Sequence, residues 1–219
     1  MVSLRGTKAV IFDFDGTLAV LNIDFSTMKD QLLDLIRQVG VDEGEIREKY
    51  LLEMIDEVCD ILAKKGDPDE FYRQAHRILH QIEMEAAGQG NLISGAREAL
   101  NALRERKVKI GIVTRNCEEA VREVFPDIES YCDVFVSRDS VRNVKPHPDH
   151  LHSAMAALGV TGKESVMVGD HTLDIQAGNR VGMKTIGVLT GRIKREEFEK
   201  AGADLVLAKA TEITGLLWE

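Results

Sequence analysis

This sequence predicts a doubly wound α/β fold, mostly parallel in its sheet, with an α-helical segment inserted near the start, and three observations predict it. The buried-strand pattern Ala9-Val10-Ile11-Phe12 runs directly into Asp13-Phe14-Asp15-Gly16-Thr17-Leu18. From Leu92 onward, short β-branched runs alternate with amphipathic helical patterns, as in a parallel sheet wound with helices. Between those parts the apolar spacing changes to three and four, the period of helices.

The first strand delivers two carboxylates. Side chains at i and i+2 of an extended segment share a side, so Asp13 and Asp15 converge while Phe14 packs the other way. Gly16 permits a sharp turn and a close backbone approach. Burying an unpaired carboxylate is costly, so the pair calls for a cation or a reaction. The plainer alternative is a strand end with solvated acids and an Asp-Gly turn.

The helical segment follows. Leu32, Leu33, Leu35, Ile36 and Val39 form one stripe, and a longer one runs from Ile46 and Tyr50 to Leu62. A third joins Phe71, Ala75, Ile78, Leu79 and Ile82, with breaks at Gly40 and Gly66. Residues 20–91 are therefore expected to form a bundle of three or four helices, inserted as a cap into a core made of residues 1–19 and 92–219. The remaining strands are expected at Val108–Thr114, Val134–Ser137, Ser165–Gly169, Thr185–Leu189 and Leu205–Leu207. Helices should begin near Gly95, Glu118, Pro148, Leu173, Lys194 and Ala210. Right-handed crossovers bring the carboxyl ends of such strands to one edge, where open α/β sheets bind ligands. The cap is expected over that edge.

Composition narrows the function classes. With 44% hydrophobic residues, the 219-residue chain has enough apolar material for a packed interior. The net charge of −9 argues against nucleic acid as partner. Between Asn22 and Leu92 there are 16 acidic and 8 basic residues, so nearly all the excess negative charge lies in the helical segment. No apolar run approaches the ~18 residues of a membrane helix, and the N-terminus lacks a signal-peptide pattern. No membrane partner and a cytoplasmic location are expected. Cys59, Cys117 and Cys132 are read as free thiols in a reducing compartment.

Polar groups gather at four expected strand ends. Beside Asp13 and Asp15 stand Thr114 with the adjacent Arg115, then Lys145-Pro146, then Gly169-Asp170-His171-Thr172-Leu173-Asp174. A strand-end hydroxyl and the backbone N–H groups after it suit phosphoryl oxygens. Each has a plainer role: Thr114 as a cap, Lys145 as a solvated lysine, Asp174 as an exposed first-turn acid. Four such accidents at one sheet edge are improbable together.

Other motifs fail. Gly162-Lys163-Glu164 has Ala157 where a phosphate-binding loop needs glycine, and Glu164 in place of Ser or Thr. Asp13 to Asp24 has Leu18 where a calcium loop needs glycine. His147, His150 and His152 suit surface and capping roles better than a metal site. Cys117 has no catalytic partner adjacent in the sequence.

Asp-x-Asp-Gly-Thr, strand-end Thr114, Lys145-Pro146 and Gly-Asp-x-x-x-Asp, in that order, resemble the haloacid dehalogenase superfamily of phosphohydrolases. The insert resembles that family's helical cap, and the second Asp resembles its phosphoryl-transfer members. The resemblance implies Asp13 as nucleophile forming an aspartyl-phosphate and Asp15 as the acid for the leaving oxygen and later the base for water. It implies Thr114 and Arg115 at the phosphoryl group and Lys145 balancing its charge. Mg²⁺ would be held by Asp13, Asp170 and the backbone carbonyl of Asp15, with Asp174 in support. Hard oxygen donors suit Mg²⁺, which with Lys145 eases the repulsion between carboxylate and phosphate. The activity implied is a phosphatase of a small phosphorylated metabolite, similar to the phosphoglycolate phosphatase branch. A mutase similar to β-phosphoglucomutase and a phosphoacceptor scaffold remain the alternatives. Two linkers depart from the family pattern, Ala19-Val20-Leu21-Asn22 and Ser94-Gly95. Lys64, Lys65, Arg73 and Arg77 are candidates for a second anionic group of the substrate, though solvated helix faces are the plainer reading. Oligomeric state is open.

Overall fold

The structure is a computed structural model and describes residues 4–216; the extreme ends of the expected core range, residues 1–3 and 217–219, lie outside them. In chain order the elements are β1 (Ala9–Phe12), β2 (Ala19–Val20), α1 (Phe25–Gln38), α2 (Leu51–Ala63), α3 (Asp69–Ala87), β3 (Asn91–Leu92), α4 (Ala96–Glu105) and β4 (Lys109–Val113). They continue as α5 (Glu118–Val124), β5 (Val134–Val136), α6 (Pro148–Leu158), β6 (Ser165–Gly169), α7 (Thr172–Arg180), β7 (Lys184–Val188), α8 (Arg195–Lys200), β8 (Leu205–Leu207) and α9 (Ile213–Leu216).

The chain divides into two compact units, Asn22–Ala86 and the residues flanking it on both sides. In the flanking unit, six strands form a sheet in the order β5-β4-β1-β6-β7-β8, every pairing parallel. The doubly wound α/β architecture expected from the alternating pattern is present. Ala9, Val10, Ile11 and Phe12 are all buried, as a central parallel strand covered on both faces requires. Ala9 and Ile11 pack with Leu151, Ala154 and Leu158 of α6 and Ala177 of α7. Each fully buried leucine or isoleucine of this group contributes about 1.5–3 kcal/mol.

Register places the site. Phe12 lies opposite Ile112 of β4 and Val168 of β6. Asp13 therefore comes level with Val113 and Gly169, and its N–H donates to the Val168 carbonyl at 2.8 Å. Thr114 and Asp170 follow one residue beyond on either side. Three segments distant in sequence thus end together because their strands are neighbours in register.

The Asn22–Ala86 unit is helical. Asp24 caps α1 by accepting from the Thr27 N–H, and Met28, Leu32, Leu35 and Ile36 form its buried face. In α2 the buried residues are Met54, Ile55 and Val58, and in α3 the buried stripe includes Phe71, Ala75, Leu79 and Ile82. The second stripe is shorter than its spacing suggests. Ile46 closes a 3-10 turn in extended conformation and Tyr50 is the extended cap preceding α2. The Glu57 carboxylate accepts the Arg47 and Glu48 N–H groups at 2.9 Å, which holds that stretch outside the helix.

Sequence periodicity also misses the ribbon formed by β2 and β3, where Ala19 pairs with Leu92 and Val20 with Asn91. A two-residue strand has no period to detect. At the departing linkers, Asn22 has φ of 59° and Gly95, the cap of α4, has φ of 86°. Among the described residues no helix is long and apolar enough to cross a membrane.

Candidate active site

The site starts with a turn. Beyond β1 the Phe14 carbonyl accepts the N–H groups of Thr17, Leu18 and Ala19, at 3.2, 2.8 and 3.0 Å, and curls the chain back. Gly16 has φ of 77°, and a Cβ there would lie 2.2 Å from Asp170 Oδ2. Both the backbone conformation and the close approach of Asp170 require glycine.

That turn changes the expected pairing of Asp13 with Asp15. Side chains at i and i+2 converge only on an extended chain, and β1 ends at Phe12. Asp15 instead accepts the Leu21 N–H on Oδ1 at 2.9 Å. The carboxylates whose oxygens converge are those of Asp13, Asp170 and Asp174, all within 4.8 Å of one another. Asp15 remains near enough for its charge to act on Asp170.

Lys145 sits among them. Its ammonium, 1% exposed, donates to Asp13 Oδ1 at 2.6 Å and to the Val113 carbonyl at 2.9 Å, and pairs with Asp174 Oδ1 at 2.7 Å. Burial alone would lower its pKa; the two carboxylates outweigh that and raise it. The lysine is thus a fixed charge inside the site.

Asp174 is 2% exposed, unlike the exposed first-turn acid of the plainer reading. Its Oδ2 accepts the His171 N–H at 3.1 Å, while His171 Nδ1 accepts the Leu173 N–H at 3.2 Å, a reciprocal cap on α7. The cap aims Oδ1 at Lys145. A Cβ on Gly169 would lie 2.1 Å from Asp174 Oδ2, so the glycine leaves room for this carboxylate. Both Asp174 oxygens are engaged, which fits a supporting role.

Asp13 and Asp170 face each other across Thr17. The Thr17 hydroxyl lies 3.5 Å from Asp13 Oδ2 and from Asp170 Oδ1. Asp170 is also backed by Gly191, where a Cβ would lie 2.0 Å from its Oδ2, and the Thr190 hydroxyl donates to the Gly16 carbonyl. Burial pushes the Asp170 pKa to about 9, reinforced by the charges of Asp13, Asp174 and Asp15. Burial raises Asp13 to about 6, against the pull of Lys145. One lysine does not neutralise this group of acids, and the donors are all hard oxygens. Asp13 and Asp170 therefore suit a divalent cation of the Mg²⁺ type.

Thr114 is fully buried, its hydroxyl donating to Asn116 Oδ1 at 2.9 Å and accepting the Asn116 N–H at 3.1 Å. Arg115 donates to the Lys145 carbonyl. Arg73 pairs with Glu70 at 2.8 Å on an exposed face of α3. Of the three histidines, His147 accepts the Asp149 N–H at the start of α6 and His152 is exposed, but His150 is fully buried. The expected surface or capping role is wrong for His150: it accepts the Lys145 N–H on Nδ1 at 3.1 Å. Thr17, Asn116 and Gly191 also belong to the site, although none is among the residues expected there. Thr17 stood inside the first motif, and Thr114-x-Asn116 was the only signal for Asn116. Cys59, Cys117 and Cys132 are free thiols, Cys117 and Cys132 buried.

A parallel sheet whose carboxyl edge gathers three aspartates around a buried lysine defines a doubly wound α/β protein with a centre suited to a cation and to anionic chemistry. The chain belongs to the haloacid dehalogenase-like hydrolases: the model of that family matches residues 10–188. The pyrophosphatase PpaX of Halalkalibacterium halodurans is 30% identical over 199 residues, covering 87% of each chain. Among solved structures, a hydrolase from Pseudomonas syringae superposes with a TM-score of 0.73 at 22% identity, covering 96% of this chain and 98% of the other. CbbY from Rhodobacter sphaeroides in complex with phosphate superposes with a TM-score of 0.67 at 26% identity, covering 96% and 99%.

Proposed function

We propose that this hydrolase is a Mg²⁺-dependent phosphatase that removes a phosphoryl group from a small phosphorylated metabolite through an aspartyl-phosphate on Asp13. The observation that carries the reading is the division of the Asp13 carboxylate: Oδ1 is bound by Lys145 and Oδ2 is turned toward Thr17 and Asp170. Such a carboxylate is aimed and partly neutralised without being consumed in a closed ion pair.

In the first half-reaction an Asp13 oxygen bonds to phosphorus while the bond from phosphorus to the leaving oxygen breaks, and Asp15 gives that oxygen its proton. In the second, Asp15 takes a proton from water as the water oxygen bonds to phosphorus, and the bond to Asp13 breaks, releasing inorganic phosphate. Splitting the displacement this way makes each step easier. Lys145 holds its charge beside Asp13 through both halves, positioned by Asp174. Thr114 and Arg115 border the place proposed for the phosphoryl oxygens. Asp13, Asp170 and the Asp15 backbone carbonyl would hold Mg²⁺, which supplies charge neutralisation to nucleophile and phosphate when bound. Asp174 would stand behind.

The helical segment of residues 20–91 is proposed as the cap that selects the leaving group. Its acidity disfavours polyanionic macromolecules. Inorganic pyrophosphate joins the phosphate monoesters as a substrate class because of the relative named a pyrophosphatase. The free thiols fit a reducing compartment, and the cytoplasm is the proposed location.

The test is phosphate release from small phosphate monoesters and pyrophosphate, with and without Mg²⁺, for the wild type and for Asp13→Asn and Asp15→Asn. Release that requires Mg²⁺ and disappears in Asp13→Asn is expected. Full activity in Asp13→Asn sinks the nucleophile assignment, and conversion of a phosphosugar isomer without phosphate release would establish a mutase instead.

A further inference from the structure

The ammonium of Lys145 works only if the backbone that launches it is held still, and His150 is placed to hold it. His150 is fully buried, one turn into α6. Its Nδ1 accepts the Lys145 N–H at 3.1 Å and its Nε2 lies 3.3 Å from the Val136 carbonyl. That same carbonyl, at the end of β5, accepts the Thr114 N–H at 3.1 Å. One imidazole therefore links the lysine loop to the strand end that also fixes Thr114.

The hydrogen bonds settle the tautomer. Nδ1 must carry no proton to accept from an amide, so the ring proton is on Nε2 and is donated to Val136. Burial, with the charge of Lys145 next, pushes the His150 pKa down to about 3, so the ring stays neutral wherever the protein operates. The loop is held at two more points: Arg115 donates to the Lys145 carbonyl, and Arg180 to the Pro146 carbonyl at 2.8 Å. Those arginines are not fully buried, whereas the imidazole is sealed in the interior.

We propose that His150 is a positioning residue: by bridging the Lys145 amide to Val136 it fixes Lys145 between Asp13 and Asp174, in register with Thr114. The inference rests on the phosphatase reading for its effect on rate, but the bridge itself is a claim about this fold alone.

The test pairs two kinds of measurement. Nitrogen NMR of the imidazole, with the hydrogen-exchange rate of the Lys145 amide, needs no substrate. An Nε2–H tautomer unchanged from pH 5 to 8 and a protected amide are expected, the protection being lost in His150→Leu. A protonated Nδ1, or equal protection in His150→Leu, overturns the bridge even in a protein that hydrolyses nothing. Kinetics then decide whether the bridge serves the reaction. At a temperature where circular dichroism shows each variant folded, His150→Leu should lower kcat about 10–100-fold, the loss typical when an outer partner of a charged site is removed, with KM little changed. His150→Asn, which keeps an acceptor near the Nδ1 position, should recover most of it. Combined with Lys145→Ala, His150→Leu should lower kcat no further, because its effect passes through the lysine. Additive losses, or no recovery with Asn, overturn the positioning role. A wild type inactive on every phosphate ester instead sinks the phosphatase reading and leaves the bridge to the NMR.

Discussion

Lys145 Nζ lies 2.6 Å from Asp13 Oδ1 and 2.7 Å from Asp174 Oδ1, so one buried ammonium binds two carboxylates, one just beyond β1 and one in the first turn of α7. The arrangement makes the lysine both a structural tie and a fixed charge beside the proposed nucleophile.

Removing that tie leaves two buried acids facing each other. Breaking a buried pair by deleting one partner costs about 3–5 kcal/mol. Lys145→Met should lower stability by that order in chelator, read by urea denaturation, and adding Asp13→Asn should restore part of it. Equal stabilities for the single and double variants would contradict the pairing.

The pH dependence of stability follows from the two raised acids. Asp13 and Asp170, at about 6 and about 9 in the folded chain, keep protons that the unfolded chain has already lost above its ordinary carboxylate range. Their stabilising effect is complete below about pH 4 and is lost as pH rises through the two folded values. In chelator, Tm should therefore fall from pH 5 to pH 9, and Asp170→Asn should flatten the fall and raise Tm at pH 8 by roughly 3–10 °C. Mg²⁺ should restore the wild type at high pH, since it binds the ionised form. A wild-type Tm that does not fall with pH in chelator rejects the buried-acid account.

Gly191 makes room for Asp170. With its Cβ placed 2.0 Å from Oδ2, Gly191→Ala must displace that carboxylate. The variant should fold yet need about 10–100-fold more Mg²⁺ for half-maximal binding, the usual loss when the surroundings of a metal ligand are disturbed. Calorimetric titration measures it, and unchanged affinity refutes the steric role.

Asp15→Asn should lower kcat about 10²–10⁴-fold, the range of a lost general acid. The loss should be smaller for an ester of a good leaving group such as para-nitrophenol, which needs no proton. Equal losses for good and poor leaving groups would remove Asp15 from the leaving-group step.

The core was legible because its sequence signals are local. Val10 and Ile11 sit in a strand buried on both faces, which forces a continuous apolar run, and Asp13 follows wherever that run stops. The start of α2 was less legible: Ile46 and Tyr50 keep helical spacing, but spacing does not reveal that Glu57 holds the N–H groups between them. His150 was misread for a similar reason. A histidine two residues past a proline-capped helix start looks solvated until the packing of α6 on β4 and β5 buries it against Lys145.

The sequence by itself determined the doubly wound class, the strand-end positions of Asp13, Thr114 and Asp170, and the helical stretch after the first strands, because apolar period and turn chemistry are written in neighbouring residues; Lys145, expected at a strand end, stands instead in the loop between β5 and α6. Only the tertiary structure decided which acids meet. Asp15 leaves the Asp13 group because the chain curls at the Phe14 carbonyl, and Asp174 joins it because the cap of α7 turns its Oδ1 toward Lys145. The turn and the cap are themselves local, but only the register of β1 between β4 and β6 sets Asp13 beside Asp170 and within reach of Lys145, residues more than a hundred positions away that no local pattern can pair.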